Sequence, residues 1–269
     1  MYSSSLNPWK AIAFSSAIIS PPTLADAGKN RIEDNSFLIE EAYNQGAGVV
    51  QYIQAYQYSH ETREWIYTFT QEMPVFDQTH QFSYVIPIAH VEDSNGEAGI
   101  GDILINYRYQ LIANETLAVA PRLSLIAPTG DEDKGLGMGT TGYQVNLPVS
   151  ILLNDRWITH WNLGATYTPD VSDGIHRKQN LTGYSYGGSI IYLQSENFNW
   201  MLEYVKTSSD TFTENGDKTK DDAAYINPGF RFAKNYSSGL QIVSGLSFPL
   251  GVGDSKDDNG VLVYLSFEK

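Results

Sequence analysis

Two histidine–serine pairs are the first residues in the chain that could carry chemistry. In HVEDSNG at 90–96, His90 and Ser94 supply a base and a hydroxyl nucleophile close together, as hydrolysis of an ester would require. Three residues separate them, and a base must stand within hydrogen-bond reach of its serine, so their spacing does not by itself produce that geometry. The alternative is a solvated loop. Ser150 and His160 form the second pair, and a hairpin turning at 153–156 would set them side by side. The pattern offers no acid to orient the imidazole. Hydrogen-bonded lining is therefore expected there.

Charged residues within apolar stretches form a second set: Asp102, Arg108, Arg122, His160, Glu203 and Arg231. Facing arginines and acids inside a pore would set an internal field that sorts solutes by charge and size. Paired with one another, the same groups would instead close the interior. Acidic runs at 131–133, 221–222 and 254–258 could share divalent cations with lipopolysaccharide or simply be solvated. No spacing matches a calcium loop, so neither a metal site nor a cofactor is expected. Gly99-Ile100-Gly101-Asp102 lacks the strand-then-helix setting of a nucleotide site, and its glycines suit a crowded, curved strand.

The elements that carry these residues are strands. From Trp157 to Tyr167, the residues Trp157, Thr159, Trp161, Leu163, Ala165 and Tyr167 share one face, and Ile158, His160, Asn162, Gly164 and Thr166 share the other. Similar alternation predicts twelve strands near 48–59, 63–72, 79–89, 100–111, 116–126, 139–152, 156–167, 181–193, 198–207, 223–233, 238–249 and 260–268. The greasy parity contains Ile105, Tyr107, Leu123, Leu125, Val145, Leu147, Trp200, Leu202, Phe230, Phe232, Val263 and Phe267. None of these positions is charged, Lys206 at a strand end being the exception in their strands, whereas the six ionisable candidates take the opposite parity. An arginine or lysine facing mid-bilayer lipid would cost up to ~2 to 4 kcal/mol, so this sorting is what lipid outside and a wet lumen inside demand. In the first strand, Gln51 and Gln57 take one parity and Gln54 the other, so neither face is clean.

Loop lengths point the same way. Short connections (112–115, 153–156, 194–197, 233–238) alternate with long polar ones (90–99, 127–138, 168–180, 206–222, 251–260), as the inner turns and outer loops of an outer-membrane barrel do. Residues 73–80 are a longer inner turn than this pattern wants, and 59–62 a shorter outer one. Trp157 and Tyr167 would stand about 25 Å apart along the membrane normal, at a strand tilt near ~40°. That is the spacing of two aromatic girdles, to which Trp200 and Phe267 also belong. The expected fold is all-β: a transmembrane antiparallel up-and-down β-barrel of about 12 strands over 48–269.

Composition agrees. No apolar run approaches the ~18 to 20 residues of a spanning helix. A net charge of -14 argues against nucleic acid as a partner, and the absence of cysteine suits an exported chain. Lys10, the apolar stretch 11–19 and Ala25-Asp26-Ala27 read as a signal peptide over 1–27. Residues 28–47 read as a periplasmic lead-in or short helix. Expected partners are outer-membrane lipids, lipopolysaccharide and a small organic solute.

FLIEEAYNQ (37–45), VVQYI (49–53), GIGDILINYRYQL (99–111), PRLSLIAPTGD (121–131), GYQVNLPVSI (142–151) and HWNLGATYTP (160–169) resemble an outer-membrane family named after the meta pathway of phenol degradation. The resemblance implies a barrel in the outer membrane of a Gram-negative bacterium that passes small organic compounds, aromatic or apolar ones among them. It carries over no catalytic residues. HVEDSNG also resembles the H-x-S-N-G motif of the outer-membrane phospholipase, with two extra residues between histidine and serine. Transport is thus the leading expectation; a non-conducting structural or adhesive barrel is the first alternative and an outer-membrane lipid hydrolase the second.

Overall fold

Alternating side chains become a closed sheet in the computed structural model, which describes residues 32, 36–91, 97–172, 177–213 and 215–269. Eight strands are continuous: β1 (Gln51–Ser59), β2 (Trp65–Val75), β3 (Asp77–His90), β7 (Trp157–Ser172), β8 (Lys178–Ser195), β9 (Phe198–Phe212), β10 (Lys218–Asn235) and β12 (Gly260–Glu268). The other four are interrupted. They are β4 (Gly99–Ile100, Ile103–Tyr109 and Ile112–Ala113), β5 (Leu117–Val119 and Arg122–Ala127), β6 (Gly142–Asn146 and Val149–Asn154) and β11 (Gln241–Ser247 and Leu250–Gly251). Each strand pairs antiparallel with its neighbours in sequence, and β1 pairs with β12 from Gln51↔Glu268 to Ser59↔Gly260. The sheet is a closed twelve-stranded barrel without edges, the form in which strands cross a bilayer with every backbone polar group satisfied.

The interruptions have local causes. β5, β6 and β11 break next to Pro121, Pro148 and Pro249, which offer no N–H to the ladder. Pairing resumes around them through Ala120 N–H to Pro148 O (3.2 Å) and Phe248 N–H to Pro228 O (3.0 Å). β4 breaks at Gly101 and Asp102. A Cβ on Gly101 would stand 3.1 Å from Pro87 Cγ and 3.2 Å from Leu136 O, so the glycine lets the 128–138 loop lie against the strand.

The parity holds throughout the wall. Leu123, Leu163, Trp161, Val145 and Phe232 are exposed on the outside, while Arg108, Arg122, His160, Glu203 and Arg231 are buried inside. In β1, Gln51, Ile53 and Gln57 are buried inside, while Gln54 takes the outer face and accepts a hydrogen bond from Tyr67 Oη at 3.1 Å. No helix of the described residues is long and apolar enough to cross a membrane.

Several strands outrun their expected ends. Residues 73–80, expected as a turn, are strand except for Phe76, and much of 168–180 and 206–222 continues the β7–β8 and β9–β10 hairpins. The apolar alternation ends where lipid ends. Polar pairs such as Asp210↔Lys220 then carry the ladder onward.

Candidate functional site

The lumen does not hold water alone. Residues 36–47, expected outside the barrel as a periplasmic lead-in or short helix, contain no helix, and Ser36 to Gln45 are almost entirely buried. They cross the interior from the β8–β12 wall toward β1–β4, and Val50 then opens the first strand by exchanging hydrogen bonds with Lys269 (2.9 and 3.1 Å). The expected signal peptide at 1–27 and Ser94 lie outside the described residues.

The wall holds this segment chiefly by its main chain. Glu203 Oε1 accepts from the amides of Phe37, Leu38 and Ile39 at 2.9 to 3.0 Å. Asn162 Oδ1 accepts from the Glu40 amide at 2.8 Å, and Asn162 Nδ2 donates to the Glu40 carbonyl at 2.6 Å. Ser150 Oγ accepts from Ala42, Gln110 Oε1 from Asn44 and Gln81 Oε1 from Gln45, at 2.7 to 2.8 Å. A buried chain without a ladder needs such acceptors, because an unpaired buried amide costs about 1 to 3 kcal/mol.

Glu40 supplies the electrostatic centre. Arg108 and Arg122 are Cα partners on β4 and β5, and two like charges directly opposite each other destabilise a sheet unless an acid lies between them. Glu40 is that acid. Arg122 Nε donates to both of its carboxylate oxygens (3.1 and 2.9 Å), Arg108 Nη1 to Oε1 (3.3 Å) and Asn146 Nδ2 to Oε2 (2.7 Å). Arg108 also donates to Asn44 Oδ1 at 2.9 Å and to the carbonyls of Glu41 and Tyr43, all on the segment.

Small residues make room for the segment's side chains. A Cβ on Gly187 would come within 2.6 Å of Ile39 Cδ1, one on Gly229 within 2.6 Å of Phe37 Cε2, and one on Gly245 within 2.8 Å of Phe37 Cε1. Phe37 meets Tyr264 edge-on at 6.1 Å, and the Arg231 guanidinium lies 4.6 Å from the Phe37 ring centre and 3.8 Å from that of Tyr264. Arg231 also donates to the Ser36 carbonyl. Around Phe37, the residues Ile191, Met201, Val243 and Leu262 form an apolar cluster inside the barrel. A uniformly wet interior is therefore not what forms.

Of the expected lumen candidates, Arg108, Arg122, His160, Glu203 and Arg231 all face inward; Arg108, Arg122, Glu203 and Arg231 bond the segment directly, and His160 bonds Ser150 of the wall. Asp102 is apart from them: its carboxylate accepts from Gly130 N–H (3.0 Å) and Met138 N–H (2.9 Å), fastening the outer 128–138 loop. Ser150 and His160 do meet, Oγ to Nδ1 at 2.7 Å. Ser150 Oγ also accepts from the Ala42 amide, which makes this hydroxyl part of the segment's seat. Trp157 and Trp200 are exposed on the outer face near inner turns, Tyr167 is exposed near the outer end, and Phe267 is half-buried. No group of three or more metal-ligating side chains occurs among the described residues.

Sequence reading did not find Glu40, Asn146, Asn162, Gln110 or Gln81. One signal for Glu40 was available: two arginines on the same side of neighbouring strands call for an acid from elsewhere in the chain.

The family model described as "Putative MetA-pathway of phenol degradation" matches residues 30–252, which takes in the lumen segment and eleven of the twelve strands. The chain belongs to this family. No curated protein matches it. Among solved structures, the family member is similar to the COG4313 outer membrane channel from Pseudomonas putida F1 (TM-score 0.57, 13% identity, 85% of this chain and 97% of that one). It is also similar to the NanC porin (TM-score 0.54, 8% identity, 80% of this chain and 98% of that one). At these identities the likeness is one of fold. The family member thus has the closed β-barrel architecture of outer-membrane channels and porins.

Proposed function

We infer that the protein is a passive channel for small organic molecules, aromatic or apolar ones among them, and acts by passage instead of catalysis. The observation that carries this reading is the way the lumen is filled. Segment 36–45 is held by side-chain hydrogen bonds to its amides and by one ion-pair centre, with apolar contacts at Phe37, Ile39 and Ala42. This reading requires the insert to leave or shift as a unit, and the backbone ladders of the wall are closed without it. The family's name and the channel fold support the same reading. Outer-membrane lipids and lipopolysaccharide would surround the barrel, with Trp157, Tyr167, Trp200 and Phe267 at the two interfaces.

The occupied lumen also favours a second reading, a non-conducting structural barrel in which Arg108, Arg122 and Glu40 are a permanent internal brace. Single-channel conductance in planar bilayers separates the two. The channel reading expects discrete openings and flux of small solutes into loaded vesicles; a folded barrel silent in both assays defeats it. For the lipid hydrolase reading, Ser94→Ala would have to abolish a measurable hydrolysis.

A further inference from the structure

Arg108, Arg122 and Asn146 lie on one row across three adjacent strands, since Arg122 is the Cα partner of both its neighbours. Together they present four N–H donor contacts to one carboxylate, that of Glu40, and all three side chains are almost wholly buried. Arg122 is further fixed by Asn106 Oδ1 and Gln144 Oε1, both at 3.0 Å, and by Ser124 Oγ. Those partners are uncharged and belong to the wall, so they hold the guanidinium in place without neutralising it. The carboxylate comes from the insert, which has to leave or shift in the channel reading. The cationic cradle belongs to the permanent barrel.

Next to the cradle the wall turns apolar. Two and four residues along β5 from Arg122 come Ala120 and Ala118, whose faces receive Ala42, with Tyr43 packed against them. At ~3.3 Å per residue, Ala120 stands about 7 Å from Arg122 along the strand. Glu40 and Ala42 thus lay out a carboxylate and, a short step away, an apolar body against one continuous surface.

We propose that the Arg108–Arg122–Asn146 cradle is a solute site for small organic carboxylates with a short apolar or aromatic body, and that Glu40 is its built-in competitor. The proposal rests on the channel reading and names its substrate class. When the insert leaves, two arginines lose their shared counter-ion and stand as like charges directly opposite each other, a less favourable state than the paired one. A planar carboxylate restores the forked geometry that the guanidinium groups already present. A neutral analogue of the same shape does not. Because Glu40 is tethered, it competes at high effective concentration, so solute acids bind the native protein weakly and the vacated cradle strongly.

The test uses benzoate and benzyl alcohol as probes on the full chain refolded in detergent, with folding checked by heat-modifiable gel mobility. Calorimetry on Glu40→Gln should show benzoate bound at least tenfold more tightly than by the native protein, and at least tenfold more tightly than benzyl alcohol. Adding Arg122→Gln should remove that preference. If folded Glu40→Gln treats acid and alcohol alike, or binds neither, the site is overturned. Should Glu40→Gln fail to assemble, the native protein decides: benzoate should speed hydrogen exchange at the Ala42 and Asn44 amides where benzyl alcohol does not, and equal exchange overturns the site. Conductance is recorded in parallel. Benzoate binding without any conductance would sink the channel reading and spare the site, whereas conductance without acid preference would do the reverse.

Discussion

Arg108 and Arg122 face each other directly across two neighbouring strands, and the carboxylate that lets them do so arrives from a residue 68 positions before Arg108. Like charges placed directly opposite each other on two neighbouring strands repel unless a counter-charge lies between them. The barrel wall and its insert are therefore one electrostatic unit, and disturbing either partner should be felt by the other.

Truncating Glu40 tests that unit. Glu40→Ala leaves two buried guanidinium groups without their shared acid, a loss of about 3 to 5 kcal/mol for a broken buried pair. Urea unfolding of the refolded barrel should register it, and hydrogen exchange at residues 37–45 should accelerate first. Replacing all three charges together, as Glu40→Met with Arg108→Leu and Arg122→Leu, should recover most of the loss. A triple variant as weak as Glu40→Ala would contradict this account.

Phe37 and Gly245 offer an uncharged test. Gly245→Ala sets a methyl group against Phe37 and the Arg231 stem, both of them side chains, for an overpacking cost of about 1 to 3 kcal/mol. The expected result is a looser insert, read as more frequent openings in planar bilayers. Phe37→Ala in the same chain removes the Phe37 part of the clash and leaves the Arg231 part, so the two changes should be non-additive. Simple additivity would mean that Phe37 is not seated against Gly245.

The membrane face is tested by a neighbour of Arg122. Leu123 is exposed on the outer side of the same strand, and Leu123→Arg should cost ~2 to 4 kcal/mol if it faces mid-bilayer lipid. The yield of heat-modifiable barrel in phospholipid vesicles should fall sharply. Native yield would place the lipid boundary elsewhere.

Beyond the membrane, the β9–β10 hairpin carries a charge cluster whose pH response has a definite sign. Asp210 accepts from Lys220 Nζ (2.8 Å), from Lys218 Nζ (3.2 Å) and from the Thr182 amide and hydroxyl (2.9 and 2.8 Å). Lys220 also lies over the exposed Tyr184 ring, and such charges mark strand that has left the hydrocarbon. Burial alone would push the Asp210 carboxyl up, but these hydrogen bonds outweigh it and hold the group well below the usual carboxylate range. Its contribution is therefore complete above an unfolded value of about 3.9 and fades only as pH falls through the lowered native one. Limited proteolysis at 213–217 should be equally slow at pH 7 and pH 5 in the native protein. Asp210→Asn should speed it at both, and a native hairpin that opens by pH 5 would refute the assignment.

The strand count and the outward parity of Leu123, Val145 and Trp161 were both legible in the sequence. Each follows from a local rule with a period of two, and lipid imposes that rule on every outward residue separately. Only the assembled barrel decided what fills the lumen. Glu203, Asn162, Ser150, Gln110 and Gln81 recognise the main-chain amides of 37–45, and amides are the same in any sequence, so this contact leaves no side-chain pattern to read. Arg108 and Arg122 announced a need for an acid, yet which acid answered it depended on how a distant stretch threads a closed cylinder.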